Sequence, residues 1–131
     1  MWQNKIIKDA EESPEQLLAN PFNWRIHTYE QQQIMEATLN EIGWIQRILV
    51  NVNTGHVIDG HMRISLAISH EEKSVPVTYL DLTPEEEKIA LAFFDSIGQL
   101  AITDPDQYKK LTADIAVSDD TLSEFMESLT N

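Results

Sequence analysis

Two spacings alternate along the first hundred residues. Between Tyr29 and Ile42 the apolar side chains fall three and four apart, with Met35, Leu39 and Ile42 on one stripe and Ile34 beside it. That period predicts an amphipathic helix. Thr28-Tyr29-Glu30-Gln31 supplies a capping-box start, and Gly43 supplies a left-handed stop. The spacing then tightens. Ile48, Leu49, Val50 and Val52 predict a strand, Asn53-Thr54-Gly55 a turn, and His56-Val57-Ile58 a second short strand, together a hairpin. After Gly60, the positions of Ile64, Leu66, Ala67 and Ile68 return to helical spacing. Val75-Pro76-Val77-Thr78-Tyr79-Leu80 predicts another strand, with Pro76 tolerable near its start or at an edge.

The ends are read in the same way. Trp2 to Ile7 predicts a short strand, and Ser13-Pro14-Glu15-Gln16 a capped short helix that Pro21 terminates. Asn20 to Arg25 is loop chemistry. From Thr83 onward the pattern is helical: Thr83-Pro84-Glu85-Glu86 opens one helix with Gly98 as its stop, Asp104-Pro105 opens a second, and Ser118 to Asp120 a third. An N-terminal α/β half followed by helices is an α+β architecture. Trp44, the Met35 stripe and the Phe93-Phe94 pair are expected in the core. The ending at Leu129-Thr130-Asn131, after an amphipathic helix, reads as a natural or chosen boundary.

Charge narrows the functions. The chain of 131 residues carries 22 acidic and 9 basic side chains, a net −13; residues 81–131 alone hold 12 acidic and 3 basic groups. Affinity for nucleic acid comes mainly from Lys and Arg on phosphates, so broad DNA binding is disfavoured. The acidity suits solubility, a basic protein partner, or a polyanion site confined to a small positive cluster. With no cysteine in the sequence there is no disulfide, zinc–thiolate or cysteine chemistry. No secretory or membrane-spanning run is present, so the expected location is cytoplasmic.

The candidate chemistry centres on Asp59-Gly60-His61-Met62-Arg63, where a strand hands over to a helix. The first amides of a helix have no intrahelical acceptor and sit at the positive end of its dipole, which makes an anion site. Gly60 admits close approach, Arg63 can fork onto phosphate oxygens, and His61 can move a proton near neutral pH. The plain alternative is that Gly60 is a turn residue, Asp59 caps the helix and Arg63 pairs with a carboxylate. In the segment from Asn23 to His27, Trp24 can stack on a base or cover the core edge, and Arg25 can supply a second positive fork. His27, His56, Asp59 and His61 could gather a divalent cation, most naturally Mg²⁺ accompanying a phosphate. Glu85-Glu86-Glu87 reads as a first helical turn placed to suit the dipole.

The runs NPFNWRIH, GWIQRILVN, VIDGHMR, VPVTYLDL and TPEEEKIALAFFD, in this order across residues 14–102, resemble the ParB-like N-terminal domain shared by the chromosome-partitioning protein ParB and sulfiredoxin. The pairing of N-P-x-N-x-R with D-G-H-x-R is similar to that of prophage and methyltransferase-associated members, and some members of the wider group are labelled nucleases. The resemblance implies a small mixed sheet with packed helices over residues 1–102 and an acidic helical extension over 103–131 packed on it. It implies a phosphate-binding loop at Gly60, His61, Met62 and Arg63, joined by Asn23 and Arg25. The ligand implied is a nucleotide, with Mg²⁺ as possible companion. Phosphoryl transfer or phosphodiester hydrolysis, with His61 and Asp59 as catalytic groups, would be the reaction class. Departures narrow this. Gly60-His61-Met62-Arg63-Ile64-Ser65 keeps one of the three arginines in the partitioning proteins' Gly-Glu-Arg-Arg-x-Arg, and Asp95-Ser96-Ile97-Gly98 stands where they have Glu-Asn-x-x-Arg. His61 stands where sulfiredoxin has its cysteine, which removes sulfinate repair. The competing expectation is a non-catalytic acidic module of a phage or mobile element, binding a basic protein or mimicking DNA.

Overall fold

A computed structural model describes the chain over residues 1–129, with the side chains of 95–99 left undescribed. The expected boundary at Thr130-Asn131 lies outside the described residues, as do the side chains of Asp95-Ser96-Ile97-Gly98. Four strands, β1 (Ile6–Glu12), β2 (Ile48–Asn51), β3 (Val57–Asp59) and β4 (Val75–Leu80), form one mixed sheet in the order β1-β4-β2-β3. β4 is antiparallel to β1 and parallel to β2, and β2 and β3 form the predicted hairpin. Five α-helices complete the α+β fold: α1 (Tyr29–Ile42), α2 (His61–Ser69), α3 (Pro84–Gln99), α4 (Pro105–Thr112) and α5 (Asp120–Ser128). No described helix is long and apolar enough to cross a membrane.

Strand alternation sorts the core into two clusters. Ile48, Val50, Val57, Val75 and Val77 pack with Ile64 and Ala67 of α2, and Ile58 and Leu80 pack with Leu82 and with Ala90 of α3. Because successive strand side chains point to opposite faces, α2 and α3 cover the two sides of the sheet. The Gly60 junction is therefore held between a largely buried strand pair and a packed helix.

Several local expectations shift. β1 begins at Ile6 and runs through the charged stretch to Glu12, because its backbone pairs with β4 from Leu80 to Val75. The acidic side chains find partners along this edge: the hydroxyl of Thr78 donates to Asp9 at 2.7 Å and that of Tyr79 to Glu12 at 2.8 Å. Pro76 is tolerated near the start of β4, one residue before β2 pairing begins at Val77. The predicted helix after Ser13 is a single 3₁₀ turn, Pro14–Gln16, and the Ser13 side chain makes no cap bond. It stops before Pro21 because Leu18 bridges to His56 and accepts the Val57 amide at 2.9 Å.

α1 has its predicted bounds and reciprocal Thr28–Gln31 capping box, but its stripe is only half covered: Ala37 is buried and Ile42 exposed. Trp44 packs against the α2-side cluster. Phe93 and Phe94, expected in the core, are exposed. α3 turns Ala90 and Leu91 inward, and the helix outruns the three-residue β3 it packs on. Gly98 does not stop α3, which continues to Gln99; glycine costs a helix about 1 kcal/mol, too little to end one alone. α5 lies against α1, and the Ser118 hydroxyl donates to Glu41 at 2.9 Å nearby.

Candidate functional site

β3 ends at Asp59, and Gly60 turns the chain into α2 with φ of 111°. Side-chain-bearing residues rarely adopt this left-handed angle. Space enforces the same choice, since a Cβ here would lie 2.9 Å from Ile48 Cγ1 and 3.3 Å from Arg63 Nη2. Gly60→Ala is expected to destabilise the chain by about 1–3 kcal/mol through backbone strain and overpacking, read as a lower denaturation midpoint with an unchanged slope. The first helical bond runs from the Ile64 amide to the Gly60 carbonyl at 2.9 Å, and no side chain caps α2. Asp59, available as a cap by position, turns elsewhere.

It turns to two arginines. Arg25 Nη1 lies 3.3 Å from Asp59 Oδ1, and Arg63 Nη2 lies 2.9 Å from Asp59 Oδ2. Arg25 also donates to the Ile58 carbonyl at 3.2 Å, and Arg63 to the Gln46 carbonyl at 2.6 Å. Asp59 and Arg63 are four apart and meet across the β3–α2 junction; Arg25 arrives from the loop before α1. Two guanidinium groups thus converge on one carboxylate at the start of α2. Burial lowers the pKa of Arg63 from the ordinary arginine value, and Asp59 pulls in the opposite direction.

His61 begins α2 with its imidazole turned toward the Asn20 loop. Its Nε2 accepts the Asn20 amide at 3.0 Å, which places the ring proton on Nδ1. Burial lowers its pKa below 6.5, helped by Arg25 and His27 and opposed by Asp59, so the ring is held neutral. Asn20 itself is buried and orders the loop by accepting the Phe22 amide through Oδ1.

A cavity of about 230 Å³ opens at this junction, lined by Arg25, Asp59, Gly60, His61, Met62 and Arg63 together with His27, Met35 and Gln46. Of the residues the resemblance implies for phosphate binding, Asn23 alone stays off its wall. It works on the backbone, accepting the Arg25 amide at 3.4 Å. Gln46 and Asn20 escaped the sequence reading because Gln46 meets Arg63 through its carbonyl and Asn20 meets His61 through its amide, contacts that residue type does not signal.

His56 does not join this group. Its Nδ1 lies 3.2 Å from Glu87, a buried carboxylate that also accepts from Thr54 at 2.6 Å and Asn51 at 3.1 Å. Among the described residues no three His, Asp or Glu side chains come close enough to hold a metal ion.

No family model matches the sequence, and no curated protein does. Solved structures do match. One is the C-terminally truncated chromosome-partitioning protein ParB from Caulobacter crescentus complexed with CTP-gamma-S: TM-score 0.58, 21% identity, covering 94% of this chain and 70% of that one. Another is a Pnob8-like ParB-N domain, with TM-score 0.61 and 17% identity, covering 98% of this chain and 50% of that one. The fold is that of the ParB N-terminal domain. The ParB likeness extends beyond residues 14–102, where the sequence motifs lie, into the C-terminal helices. The chain spans half the length of the Pnob8-like protein it matches.

Proposed function

We propose that this ParB-like domain binds a nucleotide, or another ligand carrying phosphate, at the start of α2. The observation that carries this reading is the convergence of Arg25 and Arg63 beside an uncapped helix N-terminus, on the wall of one cavity. Helix-start amides that no side chain caps and fork-shaped donors are what a phosphate group requires. The fold supports the reading too, since the Caulobacter protein holds a CTP analogue. Mg²⁺ would enter on the phosphates of the ligand, as it commonly does when a protein offers few carboxylates. Asp59 and His61, the candidate catalytic groups, are engaged with the two arginines and with the Asn20 amide. The proposal is therefore one of binding, with phosphoryl transfer or hydrolysis as the class of reaction to test afterwards.

The test titrates ATP, CTP, GTP and a short oligonucleotide, with and without Mg²⁺, against melting temperature. A ligand at a hundred times its dissociation constant adds about 2.7 kcal/mol to the native state. Arg25→Ala is expected to abolish the shift, and Glu86→Ala, remote from the cavity, to leave it intact. A shift indifferent to Arg25 counts against the site.

A second reading rests on a different surface. Ile89 and Phe93 on α3 and Leu111 on α4 are exposed, in a half of the chain that holds 12 acidic and 3 basic groups. Exposed apolar side chains in an acidic segment suit a basic amphipathic partner. Absence of any nucleotide-induced shift, with binding of a Lys/Arg-rich helical peptide that Phe93→Asp removes, would favour this reading.

A further inference from the structure

The anion cavity continues into a larger cleft, of about 510 Å³, between the loop before α1, α1 itself and α5. The two cavities share Arg25, His27, Met35 and Met62, so a ligand seated on the arginines has one end in this cleft. The walls here are apolar, with Trp24, Ile26, Ile34 and, from the C-terminal helix, Phe125. A site with charged donors at one end and an aromatic-bearing wall at the other is matched to a molecule with phosphate at one end and a flat ring at the other.

Trp24 has the properties of a platform. Its Nε1–H donates to the Leu91 carbonyl of α3 at 2.7 Å, which pins the indole from one edge. Yet the residue remains 51% exposed, next in sequence to the arginine that grips Asp59. A loop tryptophan that only sealed the core would bury its ring. Here the ring is immobilised and left open, which removes most of the ordering cost of stacking a ligand on it.

We infer that the ligand is a nucleotide whose base stacks on Trp24, with its phosphates at the Gly60 junction and Phe125 closing the far side of the cleft. This rests on the phosphate reading above and adds the orientation of the nucleotide and the residue that receives its base. The opposite orientation would place the base in the cleft of about 270 Å³ where Phe94 meets Leu49, Ile58 and Arg25. The ring in that cleft, Phe94, has no polar edge by which it could be pinned, whereas the indole of Trp24 is held through Nε1.

Calorimetry on the full chain, using tripolyphosphate, CTP and ATP as probes, separates the two levels of the argument. At least one nucleoside triphosphate is expected to bind more tightly than tripolyphosphate. Trp24→Leu should weaken that nucleotide about ten- to a hundredfold, the loss associated with one base–aromatic stack, and leave tripolyphosphate unchanged. Trp24→Phe, which gives up the bond to Leu91 but keeps a ring, should bind the nucleotide more weakly than wild type and more tightly than Trp24→Leu. This separates stacking from mere anchoring of the loop. The inference is overturned if Trp24→Leu binds the nucleotide as wild type does, if Phe94→Ala is the variant that erases the difference, or if the base adds nothing. In each of those cases Arg25-dependent binding of tripolyphosphate leaves the phosphate reading standing. Failure of the wild-type chain to bind tripolyphosphate or either nucleotide sinks both.

Discussion

Asp59→Asn is expected to cost the fold about 3–5 kcal/mol, the usual penalty for removing one partner from a buried ion pair. The carboxylate separates two guanidinium groups, at 3.3 Å and 2.9 Å, and the side chains of Arg25 and Arg63 are only 13% and 8% exposed. Without it Arg63 loses its counterion and the two positive charges face each other. Arg63 has little freedom to retreat, because the Gln46 carbonyl holds it at 2.6 Å. The same substitution is expected to enhance anion binding, since a phosphate oxygen could take the place the carboxylate left. Urea denaturation of the variant with and without tripolyphosphate checks both effects: the midpoint should fall sharply, and added tripolyphosphate should restore more of it than it adds to wild type. A loss below about 1 kcal/mol would mean that the pair behaves as a solvated surface contact.

Glu87→Ala is expected to cost about 2–4 kcal/mol, because a buried carboxylate takes with it charge-assisted bonds to several donors. Glu87 is 3% exposed and accepts from Asn51 and Thr54, with His56 Nδ1 at 3.2 Å. Burial alone would raise its pKa; the bonds from Thr54, Asn51 and His56 outweigh burial, and the result lies below the ordinary 4.5. The sign of the pH effect follows. In the unfolded chain the carboxyl takes up its proton at a higher pH than in the folded one. The stabilisation is therefore complete above about pH 4.5 and is lost as pH falls through that value toward the folded pKa. Denaturation midpoints should drop more steeply on acidification for wild type than for Glu87→Gln, whose amide does not titrate. Parallel curves for the two proteins would show that other carboxylates govern the acid limb.

These two residues differ in how far sequence disclosed them. Asp59 stood in a short motif with Gly60, His61 and Arg63, and the helical start there fixes its neighbours locally. Glu87 looked like one of three acidic residues in a helical first turn, and only the fold brings the β2–β3 turn, 33 residues earlier at Thr54, against it. Local signals performed well where the contacts are local. The Thr28 box, the α1 bounds and the hairpin turn depend on residues within four or five positions of each other. The start of β1 was misplaced because pairing with β4, about seventy residues away by the register Asp9 to Thr78, governs it. Phe93 and Phe94 were misread for a related reason, as helical spacing states which face they share but not how far the sheet beneath extends. Arg63 combines both expectations for it, lining the cavity and pairing with a carboxylate.

The hairpin turn itself is unusually constrained. Asn51, fully buried, accepts the amides of Asn53 and Leu82 and donates to the Leu82 carbonyl and to Glu87, and Asn53 donates to the Leu82 carbonyl and to Asp81. Surface connections ordinarily accept extra residues at little penalty. This one is stitched at several points to the segment leading into α3, so its length is fixed by a neighbour distant in sequence. Lengthening it by a single residue would unpick the junction between hairpin and helix, making a five-residue surface connection as intolerant of indels as the sheet interior.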